Sequence, residues 1–317
     1  MSDKTLTNQW IPLKSNDIID IVAPGYGCSR NTLDKASNWL KSCGFTPRIG
    51  EHILDDKADP FCANTASYRL LDLERALYAT DSKAIWCLKG GYGTAELIPT
   101  LQSKPRSNFC KALIGFSDIT ALHIFLNQHW QWPTIHGPVL WQCVTDGVDE
   151  DSLDLLFNLL KGHSTAQNFI LSPLNKTAQN TRENITAPIT GGNMMVLQHT
   201  IGTGYAPNTS GCTLLLEEID EHPYRIDRML LHMQHSGLFD EVKAILIGDI
   251  TARNITVDEE KITHLLHRFA QQIEIPVYRI PNVGHDKQNH PLPLGVSTTI
   301  KYTPTPTLTC TNGHHTT

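Results

Sequence analysis

Through the first half of the chain, the pattern of apolar and polar positions switches repeatedly between a strand-like and a helix-like period. Asp17 to Ala23 (Asp-Ile-Ile-Asp-Ile-Val-Ala) predicts a first strand, ended by Pro24-Gly25-Tyr26-Gly27. A helix capped by Asn31 then runs to Cys43, with Gly44 as the left-handed residue that closes it. Phe45 to Ile49 reads as a second strand, and Thr65 to Thr80 as a helix burying Leu70, Leu73 and Leu77. Ala84 to Leu88 is a continuous apolar run, as in strands buried on both faces of a parallel sheet. Gly90-Gly91-Tyr92-Gly93 follows, then a helix through Leu101. Ala112 to Gly115 repeats the buried-strand pattern ahead of a helix from Asp118 to about Gln128, and Glu150 to Lys161 is a further helix. This β-loop-α rhythm predicts an α/β fold with a doubly wound parallel sheet.

Beyond it, residues 162–187 are polar and show no period, with Asn175 to Asn184 the most linker-like part. We therefore expect a first domain over 1–165, a linker over 166–187 and a second domain over 188–317. In the latter, Thr213 to Leu216, Val242 to Ile247 and Val277 to Ile280 read as strands, and Tyr224 to Ser236 as a helix. Asp258 is expected to cap a helix whose Ile262, Leu265, Leu266 and Phe269 recur at helical spacing. The tail from Val296 is Thr-rich and β-prone.

Composition narrows the function classes. With 40% hydrophobic and 18% charged residues, the 317-residue chain can fold without disulfide staples. A formal net charge of -6 gives no electrostatic reason to expect nucleic acid or an anionic membrane as partner. No segment has the length of a membrane span, and the first residues lack the apolar run of a secretory leader. None of the eight cysteines forms Cys-x-x-Cys, so no zinc ribbon is expected, and several sit in apolar runs. A reducing, cytoplasmic setting fits this usage.

The candidate chemistry begins at Ser117, in the turn Gly115-Phe116-Ser117-Asp118 between a buried strand and a helix. A sharp strand-to-helix turn lifts a serine clear of the sheet and aims the next backbone N–H, that of Asp118, at a reacting carbonyl oxygen. The helix start adds partial positive charge. On these residues alone, a helix-capping role for Ser117 or Asp118 is an equal alternative. The Gly90–Gly93 loop, at the end of another strand, can offer a second oxyanion donor from Gly91. Gly25-Tyr26-Gly27 makes a poor dinucleotide loop, because Arg30 stands where a third glycine belongs. Leu214-Leu-Leu-Glu217-Glu218-Ile-Asp220-Glu221-His222 runs a buried strand into acids, open to a catalytic or a metal role. A strand's period of two puts Glu217 and Glu218 on opposite faces, which weakens the metal reading. His285, after Gly284 in a loop leaving a strand, completes the chain order serine, acid, histidine.

Taken together, Lys89-Gly-Gly-Tyr-Gly93, Ile114-Gly-Phe-Ser-Asp-Ile-Thr120, His136-Gly-Pro138, Gly191-Gly-Asn193, Leu216-Glu-Glu218, Pro223-Tyr-Arg-Ile-Asp-Arg-Met-Leu230 and Gly284-His285 resemble the LD-carboxypeptidase (muramoyl-tetrapeptide carboxypeptidase) family. These segments span most of the chain. The resemblance implies a flavodoxin-like N-terminal domain carrying nucleophile Ser117. It also implies a smaller β-rich C-terminal domain carrying Glu217 and His285, with the site in the cleft between them, and a homodimer. It implies a cytoplasmic serine enzyme that releases terminal D-Ala from peptidoglycan-derived tetrapeptides, with no metal or other cofactor. Asp118 and Gly91 would supply the oxyanion hole. Gly90, Tyr92, Asn193 and Arg225 are candidates for substrate binding, with Arg228 a second candidate for the substrate carboxylate. The family pattern is departed from at Phe116, Glu218 and Lys89, the last standing where arginine is common. Two rivals follow from the same residues. One is an immunity-type peptidase of the same fold acting on peptidyl or aminoacyl nucleotides, with Trp130, Trp132 or Trp141 stacking on a base. The other is a non-catalytic muropeptide binder.

Overall fold

The structure is a computed structural model, and it describes residues 9–310 apart from 55–58, 146, 164–166, 253–254 and 303–304. Residues 311–317, at the end of the Thr-rich tail, lie outside the described residues.

In the first half, β1 (Ile18–Val22), β2 (Thr46–Ile49), β3 (Ser82–Cys87), β4 (Ala112–Gly115) and β5 (Thr134–His136) alternate with α1 (Arg30–Ser42), α2 (Ala66–Tyr78), α3 (Ile98–Gln102), α4 (Thr120–Phe125), α5 (Leu140–Val144) and α6 (Glu150–Leu160). The order β2-β1-β3-β4-β5 is parallel throughout, which is the flavodoxin-like doubly wound arrangement. The reason is the alternation of buried side chains on strands without a polar face. Ile19, Ile21, Trp86, Ile114 and Ile135 pack against α1, α5 and α6 on one side. Val22, Ile85, Cys87 and Leu113 pack against α2 and α4 on the other, among Leu73, Leu77 and Leu122. Ser29, not Asn31, caps α1, since its hydroxyl accepts the Thr32 N–H at 3.2 Å.

The second half adds β6 (Gln167–Ile170), β7 (Ser172–Pro173), β8 (Ile185–Asn193), β9 (Thr213–Glu221), β10 (Ala244–Ala252), β11 (Val277–Arg279), β12 (Leu292–Leu294), β13 (Ser297–Lys301) and β14 (Thr307–Cys310), with α7 (Lys176–Asn180), α8 (Met194–Thr200), α9 (Pro223–His235) and α10 (Ile255–Gln272). Among the described residues these strands form a second, mixed sheet in the order β6-β14-β13-β8-β9-β10-β11-β7. β12 instead pairs antiparallel with β5 and so joins the edge of the first sheet. Helices α8, α9 and α10 cover one face through Met194, Leu230, Met233, Leu266 and Phe269.

Residues 166–187, expected as a linker, instead supply β6, β7, α7 and the start of β8 to this sheet. Asn175 organises them: its buried side chain accepts the Ala178 N–H and donates to the carbonyls of Ala270 and Ile275. Asp258 lies inside the first turn of α10 rather than at its cap, and pairs with Lys261.

Candidate active site

β4 ends at Gly115, where space is limiting: a Cβ there would come within 3.0 Å of Ile119 and 3.2 Å of the Cys87 Cβ. Phe116 is extended, and Ser117 then turns into the left-handed region at φ 63°. A non-glycine residue held there costs on the order of 1–3 kcal/mol. The chain continues as a tight turn over Ser117–Ile119 into α4, and neither Ser117 nor Asp118 makes a capping bond. The capping alternative is therefore not what the turn uses.

The Asp118 side chain faces inward. Its Oδ2 accepts both the backbone N–H (2.9 Å) and the hydroxyl (2.6 Å) of Thr94, just past the glycine loop. Burial raises the Asp118 pKa, opposed by these two bonds. The loop lies against the serine: a Cβ on Gly90 would stand 3.0 Å from the Ser117 Cβ and 3.3 Å from its Oγ. Gly91 needs its left-handed φ of 97°, and a Cβ there would meet Tyr26 at 2.4 Å. Tyr26 N–H in turn donates to Gly90 O at 2.8 Å, which ties the loop after β1 to the loop after β3. This is the topological switch point of the sheet, where such folds form their crevice.

The acid and the histidine arrive from the second sheet. Glu217 is fully buried on β9. His285 follows β11 in a loop held by the Asp249 N–H, which donates to Val283 O at 2.7 Å. Gly284 runs so close to β10 that a Cβ would meet the Asp249 Cβ at 2.9 Å. His285 Nδ1 and Glu217 Oε2 are 2.7 Å apart. Burial disfavours the imidazolium, but the Glu217 carboxylate outweighs it and the His285 pKa lies above the ordinary 6.5. Burial likewise works against the Glu217 carboxylate, and the charge of His285 reverses the balance, so Glu217 is held below its ordinary range. His285 Nε2 has no hydrogen-bond partner among the described residues. Phe116, beside the serine, packs on the His285 ring at 4.6 Å between centroids.

Ser117, His285, Gly90 and Gly91 line one pocket of about 290 Å³, with Phe116, Val139, Trp141 and Ile219 as apolar wall. The structure thus brings Ser117 and His285 to one pocket beside the glycine loop, with Glu217 bonded to the Nδ1 side of His285. Four candidates for substrate binding are not in that lining. Tyr92 is exposed, and its backbone carbonyl accepts from the Cys62 thiol. Asn193 is buried in structural work: it caps α8 by accepting the Val196 N–H and donates to Glu218 Oε1 at 2.9 Å. Arg225 is exposed on α9 and pairs with Glu221 at 3.5 Å. Arg228 is exposed as well, over the Tyr224 ring. Trp130 and Trp132 are core residues, packed edge to face at 5.3 Å, whereas Trp141 does reach the pocket.

The acid run at the end of β9 separates as its period of two requires. Glu217 meets His285, whereas Glu218 accepts N–H groups of Ile219 and Met195 besides Asn193. Among the described residues no group of three or more His, Cys, Asp or Glu side chains converges as a metal set. Sequence reasoning assigned no role to His136. It pairs with Gly115 in the β4–β5 register and places Nε2 3.8 Å from Glu217 Oε1, an electrostatic rather than a hydrogen-bonded contact. Its only signal was membership of the His136-Gly-Pro138 segment.

Known proteins share this architecture. The profile of the LD-carboxypeptidase N-terminal domain matches residues 19–137, and that of the C-terminal domain residues 186–300. A Rickettsia conorii relative that carries a provisional carboxypeptidase name is 35% identical over 280 residues, 87% of this chain and 85% of its own. The murein tetrapeptide carboxypeptidase of Pseudomonas aeruginosa is 28% identical, covering 95% of this chain and 96% of that one. The crystal structure of the Oxalobacter formigenes muramoyltetrapeptide carboxypeptidase superposes with a TM-score of 0.74 at 25% identity, over 92% of this chain and 98% of that one. The microcin C7 self-immunity protein MccF, at 19% identity and a TM-score of 0.75, shares the fold, over 96% of this chain and 98% of its own. The chain belongs to the LD-carboxypeptidase family.

Proposed function

We propose that the protein is a serine-type LD-carboxypeptidase that removes terminal D-Ala from peptidoglycan-derived tetrapeptides. Ser117 Oγ attacks the carbonyl at the L-centre of the diamino acid, while His285 Nε2 takes its proton. Glu217 holds the tautomer with Nδ1 protonated and stabilises the imidazolium that forms. The backbone N–H groups of Asp118 and Gly91 hold the oxyanion. The imidazolium then protonates the departing D-Ala amine, which leaves an acyl-enzyme on Ser117. Water, deprotonated by the same His285, releases the tripeptide. No step requires a metal ion.

The observation that carries this reading is the 2.7 Å bond from His285 Nδ1 to Glu217, which leaves Nε2 unpartnered in a histidine that shares its pocket with Ser117. The names of the murein-acting relatives support the substrate class. The same reading divides the chain into a nucleophile domain (1–165) and an acid–base domain (188–317), to whose sheet residues 167–187 add strands, and it places a homodimer in the cytoplasm. Incubation with a murein tetrapeptide, followed by D-Ala assay with and without chelator, tests it. Release that persists in chelator and vanishes in Ser117→Ala is expected. Chelator-sensitive turnover, or wild-type turnover by the variant, would sink the mechanism.

A further inference from the structure

The pocket that holds Ser117 has a one-sided charge. Among its described lining residues there is one lysine or arginine, Lys89, and no carboxylate. Three lysines, Lys104, Lys111 and Lys261, each have a carboxylate oxygen within 4.0 Å. Lys89 has no ion pair among the described residues. Its Nζ instead stands over two aromatic rings, 4.4 Å from the Trp141 centroid and 5.0 Å from that of Tyr26.

An ammonium over ring faces is held in place by the ring quadrupoles, yet its N–H donors still want oxygen acceptors. Apolar walls next to a half-buried charge raise the value of any anion that enters. The position is also fixed, because Lys89 directly precedes Gly90, whose backbone lies against Ser117.

A peptide's terminal carboxylate is separated from the scissile nitrogen by a single carbon. A group that reads it must therefore share a pocket with the nucleophile. Lys89 does. Arg30 lines only the neighbouring cleft of about 770 Å³, which Lys89 and Trp141 also border. Arg225 and Arg228 lie outside both pockets. With the serine carboxypeptidase assignment above as its premise, we infer that Lys89 anchors the substrate's terminal carboxylate and so makes the enzyme an exopeptidase. The large cleft on the other side of Lys89 and Trp141 is left for the acyl portion, the longer part of the tetrapeptide.

The test compares a murein tetrapeptide ending in D-Ala with the same peptide ending in D-alaninamide, for wild type, Lys89→Met and Lys89→Arg. Wild type is expected to prefer the acid. In Lys89→Met, kcat/KM on the acid falls roughly 10- to 100-fold, mostly through KM, the range for a lost charged hydrogen bond. Turnover of the amide is unchanged, which also shows that the variant is folded, and Lys89→Arg restores most of the preference. Equal losses on both substrates, no loss on either, or a wild type indifferent to amidation would overturn the anchoring role while leaving the carboxypeptidase assignment intact. A wild type that cleaves the terminal residue from neither peptide, releasing neither D-Ala nor D-alaninamide, would overturn that assignment and the anchor with it.

Discussion

Thr94 donates twice to one oxygen of Asp118, through its backbone N–H at 2.9 Å and its hydroxyl at 2.6 Å, and so fastens the glycine loop to the serine turn. Both groups are buried, so removing the acceptor leaves two donors without partners. Asp118→Ala should therefore lose about 1–3 kcal/mol of stability. Because a displacement of about 1 Å can cost about 100-fold in rate, kcat should fall by roughly 10- to 100-fold as well. Denaturant titration and steady-state kinetics on the same preparation measure both. An Asp118→Ala enzyme with unaltered kcat would mean that the loop is positioned by other contacts.

Ser117 holds φ at 63°, a conformation that a side chain disfavours. Glycine relieves that strain and alanine does not. Both Ser117→Gly and Ser117→Ala should be inactive, yet the glycine variant should unfold at higher denaturant, by about 1 kcal/mol relative to alanine. The reverse order would argue that the turn is not strained in solution.

Gly90 faces Ser117 at van der Waals limits, 3.0 Å from a built Cβ to the serine Cβ. Gly90→Ala should push the nucleophile rather than unfold the protein, since only a local shift of a few tenths of an ångström is needed. A kcat loss of roughly 10- to 100-fold with little change in Tm is expected. A large drop in Tm with normal specific activity of the folded fraction would contradict it.

The parts of this site that were legible before the structure are those written in local chemistry. Continuous apolar runs at Ala84–Leu88 and Ala112–Gly115, each followed by glycine or a serine turn, fix two adjacent parallel strands and the loops at their ends. The separation of Glu217 from Glu218 followed from the strand period alone. What stayed hidden depends on partners distant in sequence. The segment around Asn175 looked like a linker because its strands are short sheet edges with mixed exposure. Its one organising side chain bonds to carbonyls about 100 positions away. His136 gains meaning only through the 3.8 Å approach of Glu217 from the other sheet. Arg225 had the right charge for a substrate carboxylate and the wrong place, since its helix turns it to solvent beside Glu221.

Glu218 is a buried carboxyl beside the Glu217 charge. Burial first, and that neighbour second, raise its pKa to about 7 from an ordinary 4.5. Between those values the native state holds a proton that the unfolded chain has lost, so stability falls as pH rises. The contribution is up to about 3 kcal/mol at 1.36 kcal/mol per pH unit. Denaturation curves at pH 5 and pH 8 should show the decline in wild type and a flatter profile in Glu218→Gln. An equal slope in both proteins would place the titration elsewhere.

Under the proposed mechanism His285 must be neutral at Nε2 to accept the Ser117 proton, so activity requires pH above its pKa. Burial opposes the charged ring, but Glu217 at 2.7 Å outweighs it, and the pKa lies above 6.5. The acid limb of kcat/KM should therefore have its midpoint above 6.5. Glu217→Gln removes the charge that raises the pKa while burial remains, so the midpoint should move to lower pH. The rate at the optimum should fall by on the order of 10³ or more, because the imidazolium is no longer stabilised. A wild-type midpoint below 6.5, or one that Glu217→Gln leaves in place, would show that the limb reports another group, such as Asp249, whose pKa burial lifts to about 6.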